Sequence, residues 1–136
     1  MSIVLYMKLL VIEKGKKLQD KNVLFKLIGT MMIWSAIVPI IIMDIYSILY
    51  QEIYFTIQGI PKIKRSKYLN FDRWNLSKLS IGQKLSCIYC GYANGIAAWF
   101  KALVNQTETY SCAIKHQYEV PGQDHQTNFA EYKEYL

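Results

Sequence analysis

Cysteine, histidine and proline are scarce in this chain: 136 residues hold three cysteines, two histidines and three prolines. Three thiols cannot close into a disulfide framework without leaving one unpaired, so a disulfide-stapled secreted scaffold is the weakest reading of them. No Pro/Ser-rich linker is present, although Gly59-Ile60-Pro61 breaks the chain where composition turns polar. Nothing repeats internally. The apolar opening, Met1 to Ile12, is short, holds Lys8, and lacks a basic start and a small-residue cleavage site, which argues against a cleaved signal peptide. An interfacial helix or a strand-like arm at a membrane surface fits it instead. No helix-turn-helix, RNA-binding or finger pattern accompanies the net charge of +6, so the basic excess points to anionic lipid headgroups and not to nucleic acid. No constellation of residues announces catalysis, and an enzyme is the less favoured class.

What the chain has in quantity is apolar length. Leu27 through Met43 is an uncharged run of seventeen residues; Asp44 interrupts it and Ile45 to Tyr50 resumes. As a helix, Leu27 to Tyr50 spans roughly 36 Å, against about 30 Å for the hydrocarbon core of a bilayer. The competing reading is a buried helix of a soluble protein, which seldom runs so far without charge. Tyr46, Tyr50, Tyr54 and Phe55 fall where aromatic rings settle between acyl chains and headgroups. Lys14, Lys16, Lys17, Lys21 and Lys26 precede the span, and Lys62, Lys64, Arg65 and Lys67 come after it. Both flanks are basic, so the positive-inside rule sets no orientation. Asp44, a carboxylate within a span, marks a pathway or partner in the sharper reading. In the plainer one it sits at the headgroup layer, helped by a tilt or kink at Pro39.

From Pro61 onward no sustained alternation argues for a sheet, and short helices joined by polar turns are expected. The best of them runs from about Gly95 to Gln106, capped by Asn94, with Ile96, Trp99, Phe100 and Leu103 as its core stripe. Thr127-Asn128 would cap a last short helix carrying Phe129, Tyr132 and Leu136 on one side.

Every cysteine belongs to one set of soft ligands: Cys87-x2-Cys90, then Cys112-x3-His116. The first pair suits a tight turn that Gly91 would ease, and the second stacks on one face of a helical turn. Cys3His is a composition that tetrahedral zinc takes, and an iron-sulfur cluster uses the same thiolates. Four protein ligands leave zinc no open position, which makes such a site structural. A metal-free alternative is a redox dithiol in which Cys87 attacks and Cys90 resolves, with Lys84 favouring the thiolate. Asp72 beside Arg73 reads as a local ion pair or cap, with orientation of His116 as the sharper role. His125 reads as a solvated loop residue.

The strings Tyr68-Leu69-Asn70-Phe71-Asp72-Arg73, Cys87-Ile88-Tyr89-Cys90-Gly91-Tyr92-Ala93-Asn94-Gly95 and Thr107 through His116 resemble a family of small, uncharacterised bacterial membrane proteins with a Cys-x2-Cys-Gly-Tyr-Ala-Asn-Gly motif and a later Cys-x3-His. The family pattern has Trp before the third cysteine and Pro after it, where this chain has Ser111 and Ala113. The resemblance implies a bacterial membrane location and no particular activity.

The expectation is therefore a mainly α protein with a single transmembrane helix and a small helical metal-binding domain. Residues 1–22 form a basic and apolar N-terminal segment, 23–58 the span with its interface, and 61–136 the domain that holds zinc through Cys87, Cys90, Cys112 and His116. It would act as an interaction or assembly module, with the lipid bilayer and another membrane protein as partners. Alternatives are an iron-sulfur electron-transfer protein and a membrane-tethered thiol-disulfide oxidoreductase. Reduced cysteines place the C-terminal domain on the cytoplasmic side of an inner membrane.

Overall fold

The computed structural model describes residues 22–136. The expectations for the first 21 residues, including the lysines at 14, 16, 17 and 21, lie outside the described residues.

The apolar run forms helix, as its composition demands. Helix α1 spans Val23–Ser35 and α2 spans Ile37–Tyr50, with a single irregular residue, Ala36, between them. Pro39 accounts for the break. It has no amide to give the carbonyl of Ser35 four residues back, and Ser35 Oγ turns to Met32 O at 2.8 Å. Past Tyr50 the helix widens into a π-helical turn, Gln51–Phe55, before a last α-turn at Thr56–Gln58. Gly59 ends it with φ +67°, a left-handed conformation that glycine adopts without a Cβ penalty. The break expected at Gly59-Ile60-Pro61 is therefore where the helix stops.

Helix α3 runs for 31 residues, Ile81–Ser111. Its start is a capping box: Gln83 N donates to Ser80 Oγ at 3.3 Å, and Ser80 N donates to Gln83 Oε1 at 3.0 Å. The helix thus begins fourteen residues before the expected Gly95, and Asn94 is not its cap. Instead Asn94 Nδ2 donates within the helix to Cys90 O at 2.9 Å.

The two long helices lie parallel. Contacts join residues 56 or 57 apart in sequence: Tyr89 Oη donates to Ile33 O, Tyr50 Oη meets Thr107 Oγ1, and Tyr54 Oη meets Ser111 Oγ. A parallel pair obliges the connection, residues 59–80, to run back along the helices. It contains two 3₁₀ turns, Arg65–Lys67 and Asp72–Asn75. Two glycines one helical turn apart on α3 admit it. A Cβ on Gly95 would collide with Tyr68 O and stand 2.8 Å from Leu69 Cδ2, while one on Gly91 would touch Asn70 O at 3.4 Å.

The core is small: Phe55, Ile60, Ile96, Trp99 and Leu103, with Ile40, Met43, Tyr68 and Tyr92 packed around it. Ile96, Trp99 and Leu103 are the expected stripe of α3, whereas Phe100 is only half-buried. The π turn matters here, because it brings Gln51 and Phe55 onto the buried side in line with Asp44 and Ser47. Gln51 Oε1 then accepts from Ile63 N at 2.8 Å and so pins the returning chain.

The last 25 residues, from Cys112, form a hook over the end of α3. Ile114 and Ala130 make an isolated parallel bridge, with Lys115 N to Ala130 O and Ala130 N to Ala113 O both at 2.9 Å. No strand forms among the described residues. In place of the expected last helix there are two 3₁₀ turns, Asp124–Asn128 and Tyr132–Tyr135. Phe129 is buried, but Tyr132 and Leu136 are exposed. The fold is mainly helical, as expected. The chain after Gly59 folds back onto the apolar helix and shares one core with it.

Candidate functional site

Among the described residues, polar chemistry concentrates in a carboxylate clamp between the helices, in the ligand set drawn from the sequence, and in the C-terminal hook.

The clamp is centred on Asp44, which is 7% exposed. Arg65 grips it with both ends of the guanidinium, Nε to Oδ1 at 2.9 Å and Nη2 to Oδ2 at 2.5 Å. Tyr92 Oη adds a third bond to Oδ2 at 2.8 Å, and the guanidinium carbon lies 5.8 Å from the centroid of the Trp99 ring. A buried carboxylate needs such partners, and the planar fork of arginine is the best match for it. The side-chain hydrogen bond to Asp44 raises the pKa of Arg65 further. Burial raises that of Tyr92, and its bond to Asp44 raises it further. The clamp ties α2, the returning chain and α3 together at one point. Asp44 is thus not a bare charge, and no short-range sequence pattern could have paired it with Arg65.

The ligand set is distributed along the molecule. Cys87 and Cys90 sit three apart in mid-α3 and not on a knuckle turn, Cys87 half-buried and Cys90 exposed. Gly91 eases no turn there; it gives room to the carbonyl of Asn70. Cys112 caps the far end of α3 with φ −152°, and His116 sits on extended chain beyond the bridge residue Ile114. The helix between them, at about 1.5 Å per residue, puts Cys112 roughly 33 Å from Cys90. The fold therefore brings Cys87 and Cys90 together and leaves Cys112 and His116 apart from them. Among the described residues no group of three or more His, Cys, Asp or Glu side chains stands close enough to hold a metal ion.

The supporting residues are equally dispersed. Lys84 Nζ lies 5.6 Å from the centroid of Trp74, a cation–π contact in place of the expected pairing with a Cys87 thiolate. Asp72 is exposed in its 3₁₀ turn, where its amide donates to Asn70 Oδ1 at 3.1 Å, and the expected ion pair with Arg73 is not among the salt bridges of the described residues.

In the hook, His125 is half-buried and not solvated as expected. Its Nε2 lies 2.5 Å from Glu108 Oε2, and its ring packs edge-on against Phe129 with centroids 5.6 Å apart. Gln126 Nε2 donates to the other oxygen of Glu108 at 2.9 Å. Both oxygens of one carboxylate on α3 thus hold the hook. Between its arms lies an open polar hollow of about 640 Å³, walled by Lys115, His116, Glu119, Asp124 and Glu131.

Among the described residues one helical stretch, Val23–Gln58, is long and apolar enough to cross a membrane, and only 11% of its most apolar window is buried. Leu24, Ile28, Met31, Val38, Ile42, Ile45 and Leu49 are exposed at spacings of three, four and seven, one continuous outward stripe. Comparison of the chain with protein-family models, with curated proteins and with solved structures finds no match.

Proposed function

We propose that this chain is a membrane-anchored, non-catalytic assembly module that holds a thiophilic metal through its Cys-x2-Cys pair. The observation that supports the anchor is the bare apolar surface of Val23–Gln58. The described residues bury no residue of α1. Contiguous apolar surface of that extent is found where lipid or a partner covers it. Val23 through Met43, 21 residues, gives about 32 Å of helix, enough for a hydrocarbon core of about 30 Å. The resemblance of Cys87 through Gly95 to small bacterial membrane proteins points the same way.

Cys87 and Cys90 support the metal. Side chains three apart on a helix are neighbours on its surface, with Cβ atoms about 5–6 Å apart, so two sulfurs can close on one ion. Zinc is the first choice because thiolate ligands suit it and no redox partner is required; an iron-sulfur cluster is the alternative. Thiol-disulfide exchange has less support. The reactive thiolate of such enzymes gains from a helix N-terminus, whereas Cys87 lies well inside α3, past a cap at Ser80. We place the hook, with Cys112, on the cytoplasmic side, where thiols stay reduced.

The anchor is tested by alkaline carbonate extraction of cells expressing the full chain. The protein should stay with the membrane pellet, and the double variant Met31→Arg/Val38→Arg should move to the supernatant, since each arginine costs about 2.5–3.5 kcal/mol near mid-bilayer. Release of the unaltered chain at alkaline pH would defeat the proposal.

A further inference from the structure

We infer that α3 crosses the membrane beside the span, and that the tip of the connection, Asp72 to Lys84, seats anionic phospholipid headgroups on the membrane face opposite the hook. The inference rests on the proposed anchor at Val23–Gln58 and extends it to the rest of the chain.

The two long helices carry their uncharged stretches at the same level. Tyr50 meets Thr107 and Tyr54 meets Ser111, each pair 57 residues apart, and Tyr89 reaches Ile33, 56 apart. That offset sets the seventeen uncharged residues Leu27 to Met43 beside Leu85 to Phe100, sixteen residues that also hold no charge. Lys84 and Lys101 bound the second stretch as Lys26 and Asp44 bound the first. Exclusion of charge from both helices over the same depth, about 24 Å, is what a hydrocarbon core imposes.

Within such a layer polar side chains must find partners in the protein. On α3, Ser86 Oγ donates to Gly82 O at 3.1 Å, Tyr89 Oη to Ile33 O at 2.6 Å, Tyr92 Oη to Asp44 Oδ2 at 2.8 Å and Asn94 Nδ2 to Cys90 O at 2.9 Å. The connection complies as well. Against the layer it sets Tyr68-Leu69-Asn70-Phe71, which carry no charge, with the carbonyls of Tyr68 and Asn70 close upon Gly95 and Gly91 of α3.

Beyond Phe71 the connection reaches the start of α3. Ile81 precedes Tyr89 by the eight residues that separate Phe25 from Ile33, so this tip is level with the start of the span. The tip is apolar and basic at once. Trp74, Leu76 and Ile81 are exposed alongside Lys78, and Lys84 Nζ stands 5.6 Å from the centroid of the Trp74 ring. Arg73, Lys78 and Lys84 form no salt bridge among the described residues, and Asp72 is the one carboxylate in the tip. Aromatic rings beside cations that lack a carboxylate partner suit the boundary between acyl chains and negative headgroups.

The crossing is tested in intact cells with a membrane-impermeant maleimide on full chains that keep a single cysteine, either the native Cys112 or Lys78→Cys. The two positions should label from opposite sides. Labelling from the same side would overturn the crossing, while retention of the chain in the carbonate pellet would still uphold the anchor. Release of the unaltered chain into the carbonate supernatant would overturn both.

The lipid is tested with Trp34→Phe in vesicles of equal parts phosphatidylcholine and phosphatidylglycerol. Trp99 is 1% exposed, so Trp74 is then the tryptophan open to quenching. Bromine near the headgroup of phosphatidylglycerol should quench it severalfold more than bromine at the same place on phosphatidylcholine, and Lys78→Gln/Lys84→Gln should bring the two lipids level with helical circular dichroism intact. Equal or absent quenching by the two lipids before that change would overturn the headgroup seat.

Discussion

At the scale of single residues, Asp44 shows how the fold answers a chemical cost. A carboxylate on an apolar helix is expensive unless it is paired and fully hydrogen-bonded. Here it accepts from Arg65 twice and from Tyr92 once. Burial and the bond to Asp44 raise Tyr92 above its ordinary value of 10.0, so its neutral phenol is the form that folding favours. By linkage, the contribution of Tyr92 is complete below pH 10.0 and is lost as pH rises through the raised value. Absorbance titration should show one tyrosine ionising later than the rest, and the late component should shift down in Asp44→Asn. The same variant should cost about 1–3 kcal/mol in denaturant unfolding, discounted because Arg65 keeps partial access to solvent. A Tyr92 phenol that titrates normally in the folded chain would mean that the clamp does not form.

At the scale of elements, α3 is informative because it runs through residues that discourage helix. Gly91 and Gly95 interrupt its propensity, and the sequence around them reads as a turn with a new helix after it. The capping box at Ser80 and Gln83 is the local signal that the helix starts earlier. Tertiary contact explains the glycines, since Tyr68 and Leu69 occupy the space where a Cβ on Gly95 would stand. Gly95→Ala should therefore lower stability by about 1–3 kcal/mol through overpacking. Gly91→Ala should be neutral or stabilising, because its Cβ would meet only an ordinary contact at 3.4 Å and alanine favours helix by about 1 kcal/mol. Thermal melts of the two variants side by side decide this, and equal losses in both would contradict the groove.

At the scale of the whole molecule, the parallel helix pair decides what meets what. A short connection makes antiparallel neighbours; this one is long enough to run back, so residues 57 apart face each other. In a chain with its three native cysteines changed to serine, Tyr50→Cys with Thr107→Cys should be joined by a short bifunctional thiol reagent, and Tyr50→Cys with Tyr89→Cys should not. The reverse result would mean an antiparallel hairpin. The same arrangement separates the ligand set, because a continuous helix is a rigid spacer of about 1.5 Å per residue between Cys90 and Cys112.

The sequence by itself determined the long apolar helix and its end at Gly59, the helical character of the chain beyond Pro61, and the stripe of Ile96, Trp99 and Leu103. These depend on local composition and periodicity, which a chain carries whatever its neighbours are. Only the tertiary structure decided the partners of Asp44, the continuity of α3 through two glycines, the seat of His125 on Glu108, and the separation of Cys112 from Cys90. Each of these depends on residues distant in sequence being brought together or held apart by packing, and no short-range pattern encodes that.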